Sequence, residues 1–93
     1  MNITKTMKVN QLVNNSGRAI NNQFTISFNG GIAFQSYDSI IAIKYDDDRV
    51  VLDKDYWNYS RTTSKYRSQF LNETTKETQQ KIDEGIYELL ELN

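Results

Sequence analysis

Thirteen consecutive residues, Asp55-Tyr56-Trp57-Asn58-Tyr59-Ser60-Arg61-Thr62-Thr63-Ser64-Lys65-Tyr66-Arg67, hold four aromatic rings, three cations and several hydroxyls. Tyr, Trp and Arg each join a large apolar area to a polar handle, which is why they are enriched where binding energy concentrates. Tyr56, Trp57, Tyr59, Arg61, Lys65, Tyr66 and Arg67 are therefore the candidate partner-binding residues. The same composition suits a nucleic-acid surface, with cations on phosphates and rings stacked on bases. It also suits a plain structural role, in which Trp57, Tyr66 and Phe70 pack beneath a helix and Arg61, Lys65 and Arg67 are solvated. A protein partner is favoured over nucleic acid, because the net charge is −1 and three local cations supply few phosphate contacts.

Catalytic chemistry finds little to work with. The chain has no His and no Cys, which removes the common nucleophile and base pairs. Asp38, Asp46, Asp47, Asp48, Asp53 and Asp55 lie close in sequence, yet a two-carboxylate mechanism needs a cleft that keeps one acid protonated. Turn-forming and capping roles suit these residues better. As cation ligands they lack the spacing and the terminal Glu of a calcium-binding loop. Gly30-Gly31 has no phosphate-binding context, so neither a metal nor a cofactor is expected.

The elements that must position the aromatic segment are legible from periodicity. Residues 1–22 read as a polar, partly flexible N-terminal segment with one short element near 7–13, helix or strand, punctuated by Asn14-Asn15-Ser16-Gly17. Phe24, Ile26 and Phe28 alternate with Thr25 and Ser27 as on a strand, and Asn29-Gly30-Gly31 turns the chain into a return strand reaching about Tyr37. Ile40 to Ile43 form an unbroken apolar run, expected in a central strand covered on both faces, and the three aspartates 46–48 turn it toward Val50-Val51-Leu52. A helix is expected over about 60–71, with Thr63, Tyr66 and Phe70 on one face and Arg61, Lys65 and Ser68 on another. A second helix starts at Thr74, with Glu77 completing a capping box, and ends at Gly85. Residues 87–92 read as an edge strand returning to the sheet, with a helical end as the alternative. The expected class is α+β: an antiparallel sheet of about four to five strands with two C-terminal-half helices on one face.

At 93 residues the chain is expected to form a single domain, 1–93. Absent cysteine points to a reducing compartment, and no apolar stretch approaches membrane-spanning length or a signal-peptide core, so the cytoplasm is expected. Charge falls in blocks. Lys5, Lys8 and Arg18 stand without acids in 1–22; aspartates dominate 38–55; Arg61, Lys65 and Arg67 stand without acids in 56–72; six acids face Lys76 and Lys81 in 73–93. Such blocks describe either complementary solvated faces or a bipolar interaction surface.

The stretches Ser16-Gly17-Arg18-Ala19-Ile20-Asn21-Asn22-Gln23-Phe24, Phe34-Gln35-Ser36-Tyr37-Asp38-Ser39-Ile40-Ile41-Ala42 and 55–71, with the sequence onward to about Asn93, resemble a family of short, largely uncharacterised proteins encoded by tailed bacteriophages. The resemblance implies origin, with no active site to carry over. Small phage proteins that are neither enzymes nor virion parts are often inhibitors of host defence. The expectation is a non-enzymatic inhibitor in the host cytoplasm, an anti-CRISPR protein binding a Cas effector nuclease. The alternative is a small nucleic-acid-binding accessory protein, and self-association through the aromatic segment is a third reading.

Overall fold

The computed structural model describes residues 7–93. Lys5 and the first six residues of the segment expected to be partly flexible lie outside the described residues. Eight elements follow in order: β1 (Lys8–Val13), β2 (Ala19–Phe28), β3 (Gly31–Ser36), β4 (Ser39–Tyr45), β5 (Val50–Asp53), α1 (Arg61–Leu71), α2 (Thr75–Asp83) and β6 (Glu88–Leu90). All strands join one six-stranded sheet in sequence order, more than the four to five expected. The added strand is β1, six residues of the polar segment, and it pairs antiparallel with β2. The first four pairings are antiparallel hairpins, while β6 lies parallel to β5 after the chain crosses over through both helices. A parallel pair needs such a crossover.

Each turn has its local cause. Asn14 Oδ1 accepts from the backbone N–H groups of Ser16 and Arg18, with Gly17 at φ 80°. Asp47 Oδ1 accepts from Arg49 N, and Asp48 takes φ 71° in the turn between β4 and β5. Asn and Asp are the non-glycine residues that best tolerate this region. Gly31 is required for a different reason: a Cβ there would lie 2.6 Å from the Lys44 carbonyl oxygen of the neighbouring strand.

The helices follow their sequence signals. Ser60 caps α1, accepting from Thr63 N at 3.1 Å. Asn72 ends it in the left-handed region, with Glu73 N reaching back to Ser68 O. Thr74 and Glu77 form the expected capping box of α2, and Gly85 at φ 76° ends that helix through bonds from Gly85 N to Ile82 O and Ile86 N to Lys81 O.

Both helices cover one face of the sheet, identified by its contacts. Phe34 stacks on Phe70 with ring centroids 5.7 Å apart, and Ser36 Oγ bonds Thr63 Oγ1 at 2.9 Å. The core on this face comprises Ala42, Val50, Leu52 and Tyr87, with Trp57, Phe70, Leu71 and Ile82 packed against it. Burying a Phe34 or Leu52 side chain contributes roughly 1.5–3 kcal/mol. β4 buries Ile41 and Ala42 completely, as an interior strand should.

Strand register puts Gln23, Thr25 and Ser27 on this helix-covered face, opposite Ser36, Phe34 and Ile32. Phe24, Ile26 and Phe28 therefore line the other face, away from the helices. Gln23 is fully buried, and neither its amide O nor its amide N has a hydrogen-bond partner among the described residues.

Candidate partner-binding surface

The segment 54–60 is an ordered turn, held by a buried carboxylate. Asp53 is 1% exposed at the end of β5, and its Oδ2 accepts from Asp55 N at 3.0 Å and Tyr56 N at 2.9 Å. Its Oδ1 accepts from Leu92 N at 2.8 Å and Asn93 Nδ2 at 3.1 Å, so one side chain ties the aromatic turn to the residues after β6. Burial pushes this carboxyl up, but the backbone donors of Leu92, Asp55 and Tyr56 and the Asn93 amide outweigh it and hold the group below its ordinary value.

On this support Tyr56 and Tyr59 stand out from the surface, 38% and 46% exposed, packed edge to face with centroids 5.3 Å apart. The pair lies directly before the Ser60 cap, with Arg61 and Lys65 exposed on α1. Tyr66 is half-buried on the flank of α1. With Lys65 and Gln69 it lines a 250 Å³ cleft to which Val13, Asn14, Asn15 and Ile20 of the first hairpin also contribute.

Arg67 takes no part in this surface, and Trp57 is half-buried. Trp57 packs on the core, and Arg67 is fully buried where the aromatic turn meets both helices. Its Nη1 donates to Trp57 O at 2.6 Å and Asn58 Oδ1 at 3.2 Å; its Nη2 donates to Thr75 Oγ1 at 2.6 Å and Ser68 Oγ at 3.3 Å. The guanidinium lies 5.0 Å from the Trp57 ring centroid. Burial pushes its pKa down, against the pull of the Glu73 carboxylate, and a guanidinium stays protonated all the same. Of the expected stripe Thr63, Tyr66 and Phe70, Thr63 is buried and Phe70 packs on the core and on Phe34, while Tyr66 is half-buried; Arg67 is the second fully buried position of α1. An arginine can occupy that place because its fork finds four oxygen acceptors there, which an isolated cation on the same face would lack.

Tyr37 was not among the sequence candidates. It is 44% exposed and adopts φ 56° in the turn between β3 and β4. The Ser36–Thr63 hydrogen bond places this turn beside the first turn of α1. Its sequence signal is weak, because a tyrosine after an alternating apolar run reads as a strand end.

The clustered aspartates separate in space. Asp46, Asp47 and Asp48 are exposed in the β4–β5 turn, whereas Asp53 is buried beneath the aromatic turn. Among the described residues no group of three His, Cys, Asp or Glu is placed to hold a metal ion. No helix among them is long and apolar enough to cross a membrane.

The family model described as "Family of unknown function (DUF8033)" matches residues 7–85, a span running from the start of β1 to the end of α2. No curated protein and no solved structure matches the chain.

Proposed function

Because the chain belongs to the DUF8033 family, whose description assigns no activity, we propose from the surface itself that it acts by binding, without catalysis, as a phage-encoded inhibitor that engages a host effector nuclease in the host cytoplasm. The observation that carries the reading is the exposed Tyr56–Tyr59 pair beside Arg61 and Lys65, on a turn hydrogen-bonded by Asp53 and Arg67. Aromatic side chains fixed before binding lose little conformational entropy on contact, which makes them effective anchors. The resemblance to tailed-phage proteins supplies the setting, and a Cas nuclease is the first effector to try. The acidic turn 46–48 and the acids of 83–91 are available to a cationic nucleic-acid channel on such a partner.

The test is capture of purified Cas effector nucleases on immobilised protein, alongside CRISPR immunity in cells expressing it. The expected result is stoichiometric capture and lost immunity, both abolished by Tyr56→Ser with Tyr59→Ser, which removes exposed rings and leaves the core intact. Unchanged immunity together with no captured nuclease sinks the reading. Binding to a single-stranded oligonucleotide that falls steeply with salt would replace the protein partner with nucleic acid.

A further inference from the structure

The two edges of the sheet are built differently. β6 is three residues long, with Glu88 inside it and Glu91 just beyond, so an approaching strand meets two carboxylates. Short, charged edges resist pairing. β1 spans six residues, and no described residue pairs with its outer edge. Its single charge, Lys8, stands at its first position, it contains no proline, and Val9 and Val13 are 62% and 59% exposed. Apart from the register irregularity with β2 between Gln11 and Val13, the middle of this strand carries none of the devices that keep edges apart.

Val9 is also the end of a continuous apolar row. The register aligns Val9 with Ile26, Ala33, Ile43 and Val51 across five strands, all on the face the helices leave open. The row stops at the β1 edge with an exposed valine.

β1 is complementary to itself. Between Gln11 and Val13 the register with β2 shifts, β1 advancing two residues while β2 advances five from Phe24 to Ala19, so the extra residues lie in β2. The alternation of β1 therefore puts Val9, Gln11 and Val13 on the open face and Asn10 and Leu12 on the helix-covered face. A two-fold axis normal to the sheet keeps each face on its own side, which restricts antiparallel pairing to registers matching residues of the same face. With Gln11 on the axis, Val9 lies opposite Val13 of the second copy, and Asn10 opposite its Leu12. The two Lys8 positions are then offset by about 20 Å along the strand, well beyond the screening length of about 8 Å at physiological salt. Moving Asn10 onto the axis sets Val9 against Gln11 and Lys8 against Leu12, while moving Leu12 onto it leaves only a short overlap. The first register alone pairs the two exposed valines.

We propose that β1 is a homodimerisation edge, through which two copies join antiparallel about Gln11 into one continuous twelve-stranded sheet. The inference is independent of the function proposed above. Sedimentation velocity across about 1–200 μM should show a monomer–dimer equilibrium, and Val9→Lys should weaken it about tenfold or more. The chain has no cysteine, so Gln11→Cys introduces a single thiol. Residues paired on the axis lie about 4.5–5.5 Å apart at Cα, inside the disulfide window, so this variant should form a covalent dimer under mild oxidant. Lys76→Cys, exposed on α2, should not. A monomer at every concentration overturns the proposal. So does a dimer that persists in Val9→Lys and is not trapped through residue 11, since the copies then meet elsewhere.

Discussion

Arg67 is the side chain on which the order of the aromatic turn depends most, and its replacement should destabilise the whole fold. It is fully buried and donates four hydrogen bonds, to Trp57 O, Asn58 Oδ1, Thr75 Oγ1 and Ser68 Oγ, which join the turn to both helices. Hydrogen bonds to a charged group contribute about 1.5–3 kcal/mol each when both partners are buried. They do not add simply, because ionising a buried group carries its own desolvation cost. Arg67→Ala removes the bonds, opens a cavity beside Trp57 and leaves acceptors unmatched, for a net loss of about 3–5 kcal/mol. That is a large share of the about 5–15 kcal/mol by which a domain of this size is stable. With a urea slope of about 1.5–2 kcal/mol per molar, the midpoint should fall by roughly 2 M. Arg67→Lys keeps the charge but loses the planar fork, so it cannot reach the Trp57 and Thr75 acceptors together; a loss of about 2–3 kcal/mol is expected. Urea unfolding followed by Trp57 fluorescence measures this directly, since the chain has one tryptophan and Arg67 lies against it. A change below about 0.5 kcal/mol in both variants, the usual range for surface substitutions, would refute the assignment of Arg67 as the structural hub.

Acid should weaken the fold through Glu73. Its side chain is 4% exposed and accepts from Thr78 Oγ1, Lys81 Nζ and Tyr87 OH. Burial pushes this carboxyl up, but those three bonds and the Lys81 charge hold it below its ordinary value. A carboxyl lowered in the folded state adds stability above the unfolded value, near pH 4.5, and that stability is lost as pH falls through the folded value. Asp53 is lowered as well, and its contribution is lost only at lower pH, below its ordinary value of 3.8. Unfolding midpoints should therefore drop below about pH 4.5, and Glu73→Gln should flatten this acid limb while lowering stability at pH 7; an unaltered pH profile in the variant would count against the network. Gly31→Ala should cost about 1–3 kcal/mol, because its Cβ would meet the Lys44 carbonyl at 2.6 Å and push β3 from β4. A thermal midpoint equal to that of the parent chain would show that the strands yield without cost.

The local grammar of the fold is written in short-range patterns. Asn29-Gly30-Gly31 and Asp46-Asp47-Asp48 mark hairpins, Thr74 with Glu77 marks the start of α2, and Ser60 caps α1, because each of these effects acts within a few residues of its cause. The class, a sheet followed by helices on one face, follows from the order of those patterns. The exposed tyrosines and cations of 56–66 were visible too, since composition alone identifies residues that are able to bind.

What tertiary structure decided is which of the seven candidates remain at the surface. Trp57 and Arg67 are indistinguishable in composition from Tyr56 and Arg61. Arg67 is buried on acceptors contributed by Trp57, Asn58, Ser68 and Thr75, which no spacing rule brings together around a guanidinium, and Trp57 is half-buried against the core. The side of the sheet that the helices cover was equally undetermined by β2, whose large apolar residues lie on the open face while Gln23 is buried under α1. Alternation shows that a strand has two faces; only packing against a distant element chooses between them. Tyr37 and Asp53 gained their places in the same way, through bonds between segments far apart in the chain.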